Sequence, residues 1–145
     1  MTPRQHWAAI AQGLQADLQG YADLQALQQA QFHAALRHDG AGMERIAQQI
    51  LAQAEQLEAA RQQRVQHVQA LLPAGAAVSM SALFAQLASP LREQMQALWD
   101  RLEAQVQHCQ QLNVRNCQLI LEQAELMRTV IMGPAAAVPE IYAPR

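Results

Sequence analysis

Residues Leu91–Met132, LREQMQALWDRLEAQVQHCQQLNVRNCQLILEQAELMRTVIM, place apolar side chains at intervals of three and four along the whole stretch. Leu91, Met95, Leu98, Leu102, Val106, Cys109, Leu112, Leu119, Leu126 and Val130 fall in the series, and Asn116 and Gln123 occupy two of its places. That spacing keeps side chains on one face of an α-helix. Ser89-Pro90 supplies a cap and a first-turn proline ahead of it, and Gly133-Pro134 a stop behind it. At about 1.5 Å per residue the helix is roughly 60 Å long, nearer a coiled-coil rod than the needs of a compact domain. A helix of that length calls for long partners.

Two precede it. From Thr2, an N-cap followed by Pro3, the positions Trp7, Ile10, Leu14, Leu18, Tyr21, Leu24, Gln28, Phe32 and Leu36 keep the same spacing. His38-Asp39-Gly40-Ala41-Gly42 then offers two glycines and an aspartate to end one helix and begin another, a tight helical hairpin. The second helix carries Met43, Ile46, Ile50, Ala54, Leu57, Ala60, Val65, Val68 and Leu72 and should end at Leu72-Pro73-Ala74-Gly75. Ser79 or Ser81 can cap a short middle helix presenting Leu83, Phe84 and Leu87 as a lid over one end. The expected fold is therefore all-α: an antiparallel bundle of three long helices with coiled-coil-like packing over residues 1–132, plus one short middle helix. Residues 133–145, GPAAAVPEIYAPR, have three prolines and no periodicity and read as a flexible, disordered tail.

Composition agrees. The 145 residues are 51% hydrophobic but only 4% aromatic, the excess being alanine and leucine among many glutamines, a mixture that favours helix throughout. All ten basic residues are arginine, spread singly, and the formal net charge is −2, so no basic stripe exists to hold nucleic acid or an anionic membrane. No apolar run of about 18 residues and no charged-then-apolar start occurs, which argues against membrane insertion or a signal peptide and for the cytoplasm. Cys109 and Cys117 lie roughly 12 Å apart along one helix at about 1.5 Å per residue, too far for a mutual disulfide, and read as free thiols of a reducing compartment.

A search for chemistry finds little. His33 and His38 are five apart, His6 and His67 have no carboxylate or sulfur at helical spacing, and adjacent His108 and Cys109 diverge around the helix, so no metal site is expected. Asp17, Asp23, Glu55, Glu58, Glu103 and Glu122 read as scattered on polar faces, and neither a glycine-rich phosphate loop nor a nucleophile elbow appears. The chain is not expected to be an enzyme or to hold a cofactor.

Three features remain. Asn113 and Asn116, on one side of the long helix with Leu112, Leu119 and Ile120 around them, either fix bundle register, lie at the solvent edge of the bundle, or, with Gln123, hydrogen-bond a partner helix lying in an apolar groove. Met127, Val130, Ile131 and Met132 either pack a core or form an adaptable binding surface. Tyr142 beside Ile141, after a proline-containing linker, either packs back on the bundle or serves as a tethered docking motif.

The layout resembles the FlgN-type flagellar export chaperones. The likeness is carried by the long N-terminal helix and hairpin, the middle segment VSMSALFAQLASPL, the asparagine-containing LNVRNCQLILEQAELM and the tyrosine tail PEIYAPR. It implies a cytoplasmic chaperone that holds the hook-filament junction proteins FlgK and FlgL unassembled and delivers them to the export gate. It further implies that Leu112, Asn113, Asn116, Leu119, Ile120, Gln123, Met127 and Val130 receive a client's amphipathic C-terminal helix. Tyr142 would contact the export-gate protein FlhA. The rival reading is a structural coiled-coil protein that buries the same stripe in a homodimer and has no client.

Overall fold

The computed structural model of the chain describes residues 1–133, so all of the expected tail beyond Gly133, with Tyr142, lies outside the described residues. Four helices follow in order: α1 (Pro3–Leu36), α2 (Gly40–Leu71), α3 (Met80–Phe84) and α4 (Leu91–Met132). Among the described residues there is no strand, and no helix is long and apolar enough to cross a membrane.

The ends are set by local chemistry. At α1 the Thr2 hydroxyl accepts from the Gln5 N–H at 3.2 Å while the Gln5 side chain accepts from the Thr2 N–H at 2.8 Å, a reciprocal cap with Pro3 behind it. The hairpin turns on a residue other than the expected glycines: His38 takes the left-handed conformation, φ 55°, and the Asp39 N–H donates back to the Ala34 carbonyl at 2.9 Å. Gly42 has another use. The Asp39 carboxylate caps α2 by accepting from the Gly42 N–H at 2.9 Å, and a Cβ at Gly42 would sit 2.2 Å from that carboxylate. Ser79 caps α3 as expected, but the residue preceding α4 is Pro90, and Ser89 instead donates its hydroxyl to Glu93 at 2.5 Å.

The bundle runs up, down and up, so α1 and α2 are antiparallel, as are α2 and α4, while α1 and α4 point the same way. Backbone packing is centred on α1. It touches α2 on one side and α4 on the other, whereas no Cα of α2 comes within 8 Å of one in α4. Close approach to α2 occurs at Gly20, where a Cβ would meet Leu57 at 2.8 Å and where the carbonyl accepts from Gln53 at 2.9 Å.

The α1–α4 seam has a fixed register. Cys109 Sγ lies 3.6 Å from the Tyr21 carbonyl, Asn116 Nδ2 donates to the Gln28 carbonyl at 2.7 Å, and Gln123 Nε2 donates to the Ala35 carbonyl at 2.7 Å. Each pair is separated by 88 residues and each step is a heptad, which is how parallel helices keep a seam aligned. The same offset opposes Leu14 to Leu102 and Trp7 to Met95, three of them in the main apolar cluster and Trp7 packed against it. That cluster also holds Ile10, Leu18, Val68, Leu83 and Phe84, the last two fully buried, so α3 does close one end as a lid. Truncating Phe84 there removes a full aromatic side chain, a loss of about 3–5 kcal/mol for such core sites.

Asp17 overturns the expectation that it lies on a polar face. It is buried at 4% exposure, and its carboxylate accepts from Arg64 Nη1 at 2.5 Å, with the guanidinium carbon 5.6 Å from the centroid of Trp99. One contact chain thus links α1, α2 and α4 where the α2 and α4 backbones stay apart. Charge alone hid it, because the partner arginine is 47 residues away on another helix. Asp17→Ala leaves Arg64 unpaired and is expected to cost about 3–5 kcal/mol, whereas Asp17→Leu with Arg64→Met should recover most of it. Urea unfolding monitored by circular dichroism measures both variants.

Candidate functional site

The stripe on α4 that packs against α1 does not stop where α1 stops. The last rung of the seam is Ala35 with Gln123, and the next heptad would oppose Val130 to position 42, which already belongs to α2. Beyond Gln123, α4 continues to Met132, about two and a half turns, without α1 beside it. Leu126, Met127, Val130 and Ile131 consequently stand open, with Val130 and Ile131 each 77% exposed. Their spacing of three and four puts them on one face. Leu36, which sequence periodicity places in the core, is 50% exposed because it ends α1 at the hairpin tip next to this region.

Below the open stripe the seam becomes polar. Asn116 is 1% exposed; its amide donates to the Gln28 carbonyl and, at 2.9 Å, to Gln31 Oε1. Its carbonyl accepts from Arg115 Nε and Nη2 at 3.1 Å. Arg115 in turn reaches Gln29 Oε1 at 3.1 Å and lays its guanidinium 3.8 Å from the centroid of Phe32. Gln28 Nε2 answers by donating to the Cys109 carbonyl at 2.9 Å, while its Oε1 is buried without a hydrogen-bond partner. Between Cys109 and Gln123 the interhelical hydrogen bonds of α4 all go to α1.

All eight stripe residues expected from sequence lie on α4, but they divide into three environments. Leu112 and Asn116 are buried in the seam, Leu119, Ile120 and Gln123 are half-buried along its edge, and Asn113, Met127 and Val130 are exposed. The two asparagines therefore part company: Asn116 is a register residue of the closed seam, and Asn113 faces outward, with its Oδ1 4.0 Å from Cys117 Sγ. Tyr142 lies outside the described residues. Sequence reasoning named Ile131 with Met127, Val130 and Met132 as a candidate surface but missed Leu126 as a member of it, and Arg115 as a seam residue. Leu126 was visible as continuation of the period past the length that α1 can cover; nothing local marked Arg115.

His6 and His67 come together across α1 and α2, Nδ1 to Nδ1 at 2.9 Å, a contact that sequence spacing could not reveal. Among the described residues no group of three or more potential metal ligands is formed.

The two thiols are free and differ in environment. Cys117 is exposed, whereas burial pushes the Cys109 thiol above its ordinary range; burial, then the neighbouring Asp17, does the same to the Tyr21 phenol. Both groups keep their protons more tightly in the fold than in the unfolded chain. Their contribution to stability is complete below about pH 9 and is lost as pH rises through the ordinary thiol and then the phenol range. Denaturant midpoints between pH 7 and 11 should be level at first and then fall, with Cys109→Ala removing the earlier part of the decline. A thiol reagent at neutral pH should modify Cys117 at once and Cys109 only on unfolding.

No curated protein and no solved structure matches the chain. A family model described as FlgN protein matches residues 1–142, nearly the entire sequence and all of the surface just described. The chain, three long helices and one short one with an uncovered apolar helix end, thus belongs to the FlgN family of flagellar export chaperones.

Proposed function

We propose that the chain works in the cytoplasm, where it holds the hook-filament junction proteins FlgK and FlgL by their C-terminal amphipathic helices, keeps them unassembled and delivers them to the export gate. The observation that carries this reading is the stripe of Leu126, Met127, Val130 and Ile131, open where α1 ends. An amphipathic helix laid there would take up the course that α1 leaves, its apolar face matching spacing with spacing. Met127 and Val130 are its first contacts, with Leu119, Ile120, Gln123 and Asn113 along the flank. Leu112 and Asn116 belong to the same stripe but face α1 in the closed chain.

Magnitudes favour a reversible hold. Burying four such side chains contributes roughly 1.5–3 kcal/mol each, which is of the same size as the roughly 4–15 kcal/mol that association costs. The net is small, as a chaperone that must release its client requires. Chemistry plays no part in the reading: a groove shields an apolar helix from self-association, and amide side chains at its edge pair with polar groups without burying charge. Docking at the gate falls to Tyr142 and the protein FlhA, separately from the client surface.

Calorimetric titration with peptides matching the C-terminal helices of FlgK and FlgL is the test, and micromolar affinity or better is expected. Met127→Asp with Val130→Asp should abolish binding and leave the unfolding midpoint unchanged, because both positions are exposed. Tyr142→Ala should leave peptide binding intact and weaken capture of the soluble domain of FlhA. Absence of peptide binding, together with a concentration-dependent dimer that Met127→Asp dissociates, would instead establish the homodimeric coiled-coil reading.

A further inference from the structure

The seam between α1 and α4 changes character along its length. Its lower rungs, Trp7 with Met95 and Leu14 with Leu102, lie in or against the main apolar cluster, and Cys109 shares a second buried cluster with Leu24 and Leu57. Above Cys109 the rungs are Gln28 with Asn116 and Ala35 with Gln123. We infer that α4 from Leu112 onward is a latch: it parts from α1 about a fulcrum at Cys109, and the client helix enters the opened seam as well as the exposed stripe. This rests on the client-holding reading and adds to it how the site is regulated.

Four observations support the opening. First, the side-chain hydrogen bonds that tie α4 to the bundle above Cys109, from Arg115, Asn116 and Gln123, all go to α1. Parting from α1 breaks them together. Second, that interface is made largely of amide hydrogen bonds, which water replaces at small net cost, in contrast to the apolar rungs below. Third, the closed seam is imperfect, because Gln28 Oε1 is buried without a partner. Opening hydrates it. Fourth, α1 has its own support on α2, at Gly20 through Gln53 and Leu57 and at the hairpin through the Asp39 bonds to Ala34 and Gly42, so it keeps its place when α4 leaves.

Opening would join Leu112, Leu119 and Ile120 to Met127, Val130 and Ile131 in one continuous apolar face. Asn116 and Gln123, released from the Gln28 and Ala35 carbonyls, would then lie within it. The occupant that suits this face is an amphipathic helix with apolar residues at intervals of three and four and a polar side chain opposite each of the two amides. A purely apolar helix would leave Asn116 unpaired and be disfavoured.

The test is a distance measurement by double electron–electron resonance on the full chain, with spin labels on His33→Cys of α1 and the native Cys117 of α4. Both sites are exposed, and Cys109 is buried. Saturating FlgK or FlgL peptide should add a longer distance to that of the free chain. Asn116→Asp, which sets a carboxylate against the Gln28 carbonyl, should produce the longer distance without peptide while the helical signal persists. Peptide that binds with the distance unchanged overturns the latch and leaves the chaperone reading standing. Peptide that fails to bind overturns the chaperone reading, and the Asn116→Asp distance still decides the latch: a single short distance in a folded chain sinks it.

Discussion

The parallel register of α1 and α4 is the constraint on which the remainder of the structure depends. Tyr21, Gln28 and Ala35 meet Cys109, Asn116 and Gln123 at a constant separation of 88 residues, a heptad at a time. Once that offset is set, the apolar rungs fall at the α3 end, the amide rungs in the upper half, and the stripe beyond them has nothing opposite. A shift of one residue would carry the whole stripe round the helix by about 100° and place Asn116 against no carbonyl. The hydrogen bond from Asn116 to the Gln28 carbonyl is therefore the point at which register and exposure are decided together.

The buried apolar core and the open apolar surface occupy opposite ends of the same long helix. Near α3 the core is continuous, closed by Leu83 and Phe84 and crossed by the buried Asp17–Arg64 pair against Trp99. Near the hairpin the buried residues thin to Ile46, Ala34, Ala35 and the amides of Gln28 and Asn116, while α4 overshoots its neighbour. Elements that must exchange partners come from the less stable part of a fold, and here that part is also where the apolar surface of α4 is open. FlgN membership makes the chain a flagellar export chaperone, and the function proposed above would use a firm body together with a surface that binds and lets go.

Much of this was legible in the amino-acid order. The three long helices, their hairpin, the Thr2 and Ser79 caps and the burial of Leu83 and Phe84 follow from periods, capping residues and glycines that act within a few residues of one another. Those interactions are local, so one chain suffices to read them. The turn at His38, the capping function of Asp39 against Gly42, and the ion pair of Asp17 with Arg64 were not legible in the same way. The first two depend on backbone geometry that several residue types can meet, and the third on a partner 47 positions distant.

The candidate site shows the division most sharply. Sequence alone determined that Leu112, Asn113, Asn116, Leu119, Ile120, Gln123, Met127 and Val130 share one helix and run with the same three-and-four period. It could not determine which of them a neighbour covers. Tertiary structure decided that, burying Leu112 and Asn116, bordering Leu119, Ile120 and Gln123, and leaving Met127 and Val130 open. The reason is one of length and offset: α1 ends at Leu36, its last rung is Ala35 with Gln123, and α4 runs on to Met132. A periodic pattern specifies the face of a helix, and only packing specifies how far along that face the protein itself reaches.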